Sequence, residues 1–455
     1  MSIDRSGLDA KLSGCEIAVA VSDDDSLVKL GNMVDWEGLY QIMLPDLMNT
    51  EAGRWMVGRK LQLRTHLGAM ILQSMHDETD RETEARLRYD ARWQLFCGKT
   101  TVPNWKAPDH TKIEKFRNRF SPQTHHAIGE VALKIAKEAG FTNPKWMDVD
   151  STVQEANISY PSDATLMVKV IKKAFIAAEG IALAGKAISV DVKSVTAKAK
   201  EYFFLAKNKA IEVKQKIFAQ LHTKVVNQVI PVVEYALEMS EAQRAALNKK
   251  SSAALDIILQ KALGLLEDIR IFIATKSMVP TKILSLHASL VACISKGKLG
   301  KPHEFGRVIQ LGRIPGNFLI VGKSKTVRES DKSAIGPMIY AHARIFGARN
   351  LESIGGDKGY NSEKNIRSTK LAGVKECGIQ QPKNIINGKL EHSPESKIRL
   401  ENRRAGIEPL IGHCKHGGLR RSRMKSDQTA ESSAYRSVMG LNLRQLNRHI
   451  AGVYA

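Results

Sequence analysis

The sequence predicts an α/β fold: a mixed sheet with flanking helices, a large helical insertion after its first strand, and an N-terminal helical domain. Three observations point to it. Short β-branched or apolar runs at 145–153, 305–311, 318–321, 351–354 and 374–379 are bounded by Gly, Pro and polar residues, as strands are. From 163 to 294 the chain is instead Lys-rich, poor in glycine and helically periodic. After 295, strands and helices alternate, the order that covers the faces of a sheet.

Taken in order, residues 1–30 are polar and aperiodic and read as a flexible arm. Residues 31–140 read as a helical domain. Leu61, His66, Ile71 and Met75 lie in one amphipathic stretch, and Thr79 with Glu82 forms a capping-box pattern opening a second helix. Asp109 can cap a third helix, carrying Lys112, Lys115, Arg117 and Arg119 and ended by Ser121-Pro122. Three short helices with a basic last one resemble a helix-turn-helix module, whose final helix would enter the major groove. The alternative is a plain helical subdomain with a solvated basic face.

Residues 141–162 and 295–455 are expected to form one domain, split by the helical insertion 163–294. Val149, Thr152 and Val153 mark a strand around Asp148 and Asp150. In the insertion, Phe218, Leu221, Val225 and Val229, and again Ile258, Ala262, Leu265, Ile269 and Phe272, recur at helical spacing, predicting a bundle or coiled pair. Then come two strands, a helix at 331–346, a strand running into Gly355-Gly356-Asp357, a strand ending at Ile379, a polar loop over 380–395 and a basic helical C-terminal segment. This order matches a ribonuclease-H-like core.

Charge narrows the function. Lys and Arg number 69 against 47 Asp and Glu, giving a net charge of +22. Such a field favours polyanions: nucleic acid first, anionic membrane as the rival, a merely solubilising basic surface as the bland case. The five cysteines are scattered with no CxxC, which excludes a disulfide framework and a zinc ribbon. His413, Cys414 and His416 suggest a soft metal site but lack a fourth ligand. The N-terminus shows no apolar signal-peptide core and no apolar run is long enough to span a membrane, so a cytoplasmic protein is expected.

Chemistry concentrates on three acids in separate segments, Asp150, Asp357 and Glu408. Asp150 is expected at the C-terminal end of its strand, Asp357 just after the next apolar strand and Glu408 on a helix. Asp148 competes with Asp150 from the same strand face. Arg404 precedes Glu408 by four residues and Lys415 follows by seven, spacings that place all three on one helical face. A carboxylate between two cations suits a place where a metal and a phosphate are held together. Phosphodiester cleavage or transfer is served by two divalent ions roughly 3.5–4 Å apart, and Mg²⁺ prefers such hard oxygen ligands. Pro409 removes a helix hydrogen bond, so the helix is expected to kink or begin near Glu408. Seven basic residues lie between 403 and 425, including Arg403, Arg404, Lys415, Arg420, Arg421 and Arg423, enough to neutralise several phosphates or to form a solvated tail.

The segments VDSTVQEANISYPSD, KGKLGKPHEFGRVIQLG, GGDKGYNSEKN and RRAGIEPLIGHCKHGGLRRSRMKS resemble bacterial insertion-sequence transposases of the DDE type. PDHTKIEKFRNRF near 108–120 and GLNLRQL near 440–446 are similar to terminal segments of that family. The resemblance implies Asp150, Asp357 and Glu408 as the catalytic and metal-binding triad, two Mg²⁺ ions with Mn²⁺ able to substitute, and Arg404 and Lys415 on DNA phosphates. It implies terminal inverted repeats and target DNA as partners, a homodimer or larger assembly on DNA, no membrane, and a nucleoid-associated location in bacterial cytoplasm. Glu401 stands where related enzymes often carry a stacking Tyr, so steps relying on that Tyr are not implied. The competing functions are a catalytically inactive DNA-binding descendant and a structure-specific nuclease that cuts without joining.

Overall fold

A computed structural model describes residues 21–99, 106–205, 211–288, 290–295, 303–322, 330–379 and 394–453. Most of the expected arm and nearly all of the polar loop at 380–395 fall outside these residues. The chain divides into two units: residues 1–143 with 315–318 and 439–455, and residues 144–314 with 319–438.

The first unit is helical. Where three helices were expected between Trp36 and Pro122, six are present among the described residues: Trp36–Met48, Glu51–Val57, Lys60–His76, Asp80–Tyr89, Ala91–Phe96 and His110–Arg117. Local capping chemistry explains the extra breaks, with side chains of Asp35, Thr50 and Asp90 accepting from N–H groups of the helices they start. The capping box at Thr79 and Glu82 and the Asp109 cap are formed as expected. Asp25 caps a further helix at Ser26–Met33, which begins inside the segment expected to be an arm and ends beyond it. The helix at 60–76 is not amphipathic: from Leu67 to Met75 every residue is buried, so it is the unit's central helix. Within this unit Gly440 lies close against it, since a Cβ there would sit 1.9 Å from the Ser74 carbonyl oxygen. The GLNLRQL segment therefore serves packing, with Leu441, Leu443 and Leu446 buried.

The second unit holds a six-stranded mixed sheet among the described residues. Its strands are β1 (Trp146–Glu155), β2 (Ala292–Ser295), β3 (His303–Ile314), β4 (Phe318–Val321), β5 (Ser353–Gly356) and β6 (Glu376–Ile379). Their order is β2-β3-β1-β5-β6, with β4 also pairing β3. β1 runs antiparallel to β3 and parallel to β5, and β5 parallel to β6. β2 falls within the segment expected to be wholly helical. Between β1 and β2 lie the helices Asp163–Leu183, Val192–Leu205, Ile211–Glu238, Glu241–Ala245, Lys249–Ile257 and Leu263–Thr275, the last two joined by a π-helical turn. They share one core in which Leu221, Val225, Val229, Ile258, Ala262, Leu265 and Ile269 are buried, as their periodicity predicted.

After β4, helix Ile335–Phe346 leads to β5 and helix Glu363–Leu371 to β6. Helices Pro394–Ala405 and Ile407–Cys414 then pack against β1, β5 and β6. The break at Gly406 puts the start of the second helix just before Glu408 and Pro409, where proline at the first turn forfeits no internal hydrogen bond. No helix among the described residues is long and apolar enough to cross a membrane.

Candidate active site

β1 and β5 are in parallel register from Trp146 beside Ser353 to Val149 beside Gly356. One residue further, Asp150 on β1 and Asp357 just past the end of β5 follow a pair of strands that lie roughly 5 Å apart. Asp150 is thus at the C-terminal limit of the parallel pairing rather than at the end of its strand. β1 continues to Glu155 because β3 pairs with it that far. The Asp150 Oδ1 accepts from the Ser151 N–H at 2.7 Å. The Asp357 Oδ1 accepts from the Gly359 N–H at 2.7 Å and so caps the turn Lys358–Tyr360.

Glu408 arrives on the first turn of helix 407–414, its side chain 65% exposed and its Oε1 3.9 Å from the Arg404 Nη1. The other two acids bear on Asp150. Burial pushes the Asp150 carboxyl above the usual carboxylate range, the Asp357 and Glu408 charges push it further, and the Ser151 N–H and Arg404 pull it back. Among the described residues, no three His, Cys, Asp or Glu side chains are gathered tightly enough to hold a metal ion. Asp150, Asp357 and Glu408 thus share an electrostatic neighbourhood without forming a closed cage.

What holds the Glu408 helix over β1 was not anticipated. Trp146, Asp148 and Asp150 alternate onto one face of β1. Asp148, 0% exposed, accepts from the Arg403 Nε at 2.9 Å and has the Arg313 Nη1 at 3.8 Å. Arg403 also donates to the Ser353 Oγ at 3.0 Å, and Arg313 donates to the Arg403 carbonyl at 2.8 Å. Both guanidiniums lie over the Trp146 ring, at 4.8 and 5.3 Å from its centre. Burial pushes the Asp148 carboxyl up against the pull of the two arginines. Two glycines make room: a Cβ at Gly355 would sit 2.4 Å from the Asp148 Oδ1, and one at Gly406 would sit 2.2 Å from the Arg313 Nη1. Asp148 is therefore held inside the fold through its Oδ1, while its buried Oδ2 has no hydrogen-bond partner among the described residues. Arg403, counted from sequence among the phosphate-facing cations, is spent inside the fold. The Trp146-x-Asp148-x-Asp150 alternation was the available signal for this face; nothing in sequence marked Arg313 as its partner.

The remaining expected contacts divide. Arg117 is a correction: it is 5% exposed, paired with Asp80 and donating to the Gln73 Oε1 at 2.9 Å, so it is not available to DNA. Ile113 and Phe116 carry it inward, while Lys112 and Lys115 on the same helix are exposed. The Arg119 Nη1 lies 2.8 Å from the Met56 sulfur. Lys415 is half-buried at the start of a π-helical turn, off the straight helical face expected for it. Arg420, Arg421 and Arg423 are exposed on a segment tied to the end of β1, with the Glu155 N–H donating to the Arg420 carbonyl at 3.0 Å. Cys414 is buried and donates to the Ser437 carbonyl, whereas His413 and His416 are exposed, so these three do not converge on a soft metal site.

Comparison with known proteins bears on the first unit. Residues 16–119 match the family described as Transposase domain (DUF772). "Uncharacterized protein ORF8 in nfe locus" of Rhizobium meliloti is 28% identical over 112 residues, which are 24% of this chain and 54% of that protein. The chain thus spans about half the length of this curated relative. No solved structure matches the chain. The N-terminal segment is thus similar to a transposase domain, in agreement with the expected insertion-sequence transposase.

Proposed function

We propose that the chain is a DDE-type transposase that binds the terminal inverted repeats of its insertion sequence, cuts one DNA strand and joins the freed 3′ end to target DNA. The observation that carries this reading is the adjacency of Asp150 and Asp357 across β1 and β5, with the Glu408 charge felt at Asp150. The strand order, three antiparallel strands followed by two parallel ones, supports a ribonuclease-H-like core beneath the site. The transposase domain in the first unit supports DNA as the substrate.

The donor chemistry suits magnesium, although the three carboxylates are not closed around one ion position. Three carboxylates offer hard oxygens, and their mutual repulsion at Asp150 is an anionic excess that a divalent cation relieves. Bound by Asp150, Asp357 and Glu408, magnesium would supply charge neutralisation at the attacking and leaving oxygens of the phosphodiester. The chain's own residues do the rest. Arg404, beside Glu408, offers a bidentate guanidinium to the scissile phosphate, and Lys415 with exposed Arg420, Arg421 and Arg423 extends a track for the flanking backbone. Lys112 and Lys115 offer backbone contacts from the first unit. The Asp148–Arg403 pair keeps the Glu408 helix in place while DNA enters.

Oligonucleotides carrying the element's ends test this directly. With Mg²⁺ the protein should nick them and join them to a target duplex. Asp357→Ala and Glu408→Ala should each lose roughly 10³-fold in rate, about 4 kcal/mol of transition-state stabilisation, while retaining end binding in a gel shift. Nicking without joining would point to the structure-specific nuclease, and binding without either to the inactive DNA-binding protein. Undiminished nicking by either variant would refute the assignment of the acids.

A further inference from the structure

Beyond Val149 and Gly356 no ladder hydrogen bond joins β1 to β5, yet Asp150 and Asp357 come immediately after these residues. Something other than the parallel pairing must fix the distance between them. On the sheet face opposite Asp150, the turn after Asp357 inserts Tyr360 into the core at 0% exposure, its ring 3.4 Å from where a Cβ on Gly356 would lie. The Tyr360 hydroxyl donates to the Gln310 Oε1 at 2.6 Å. Gln310, 1% exposed on β3, is the register partner of Ser151, the residue after Asp150. Its Nε2 donates to the Asp331 Oδ1 at 2.8 Å, which fixes the amide's orientation so that its oxygen faces the tyrosine. Burial, with the charges of Asp331, Asp150 and Asp357 adding to it, holds the phenol protonated well above its ordinary range, so it remains a donor.

We propose that Tyr360, acting through its hydroxyl on Gln310, is a positioning residue that sets the separation of the Asp150 and Asp357 carboxylates. The strut runs from the Asp357 turn to β3 and, through the β3–β1 ladder, to the backbone of Asp150. Asp331 terminates it and orients Gln310. The proposal rests on the reading of Asp150 and Asp357 as metal-binding residues, and its test separates the two.

Mn²⁺ is the probe, measured by electron paramagnetic resonance titration of the full chain alongside cleavage of end oligonucleotides over a range of Mg²⁺. Tyr360→Phe keeps the ring and deletes only the hydroxyl. Mn²⁺ affinity should fall at least fivefold, the Mg²⁺ needed for half-maximal cleavage should rise by a similar factor, and the rate should recover at saturating metal. Because Tyr360→Phe leaves the Gln310 amide oxygen buried without its donor, it also lowers Tm. The double variant Tyr360→Phe, Gln310→Leu removes both partners at the cost of the Gln310 bond to half-exposed Asp331, and should regain part of that Tm without regaining Mn²⁺ affinity. A purely structural tyrosine would give the reverse, with affinity following Tm. Unchanged Mn²⁺ affinity in Tyr360→Phe, or a wild-type chain that binds no Mn²⁺, would overturn the proposal. A wild-type chain that binds Mn²⁺, loses affinity on Tyr360→Phe and never cuts DNA would sink the transposase reading and leave the strut standing.

Discussion

Asp150 is costly to the protein that carries it. Its carboxyl is pushed above the usual range by burial and by the charges of Asp357 and Glu408. A carboxyl whose folded pKa is raised contributes stability below its unfolded pKa and loses that contribution as pH rises through the folded value. At neutral pH the ionised group is therefore a net cost in the metal-free chain. Asp150→Asn should raise Tm in chelator at pH 7 by a few degrees, corresponding to a change of roughly 1 kcal/mol. The gain should shrink as pH falls from 7 through the raised value at which the folded wild-type carboxyl takes up its proton. Thermal melts across that window check it, and an equal or lower Tm for the variant at pH 7 would contradict it. Sequence could single out Asp150 as a candidate; its cost was not legible there, because burial and neighbouring charge are tertiary quantities. The same applies to Arg117 and Arg403, which sequence could only count as cations and the fold turns inward.

At the level of elements, helix Pro394–Ala405 is the part whose placement decides the site. It carries no catalytic acid, yet Arg403 fastens it to Asp148 and Ser353, and Glu408 follows immediately after its end. Arg403→Met leaves Asp148 buried with its principal counter-charge removed, which should destabilise the second unit by about 3–5 kcal/mol. Urea unfolding would show that loss, and a change below about 1 kcal/mol would mean the pair is not an anchor. Elements with local signals were readable from sequence: the Thr79–Glu82 capping box, the Asp109 cap and the helical period of the insertion all have structural counterparts. β2 was missed because four residues, Ala292–Ser295, give no alternation to detect. Helix 60–76 was misjudged because burial on all sides erases the polar face by which a surface helix is recognised.

Over the whole molecule, much of the order of elements after β1 was legible because strands and helices differ in period, β2 and helix Glu363–Leu371 excepted. That the three acids form one site was expected only through resemblance, since 150, 357 and 408 are distant along the chain and it is β1–β5 pairing that carries Asp150 and Asp357 to neighbouring positions. The account depends on these three carboxylates sharing one metal-binding cluster. Fe²⁺ substituted for Mg²⁺, with ascorbate and peroxide, generates hydroxyl radicals that cut the polypeptide wherever the ion is bound. Mapping those cuts should give three clusters, near Asp150, near Asp357 and near Glu408, all suppressed by excess Mg²⁺ and all weakened together by Asp357→Ala. Cuts confined to His413–His416, or a pattern lacking any one of the three segments, would contradict the shared site.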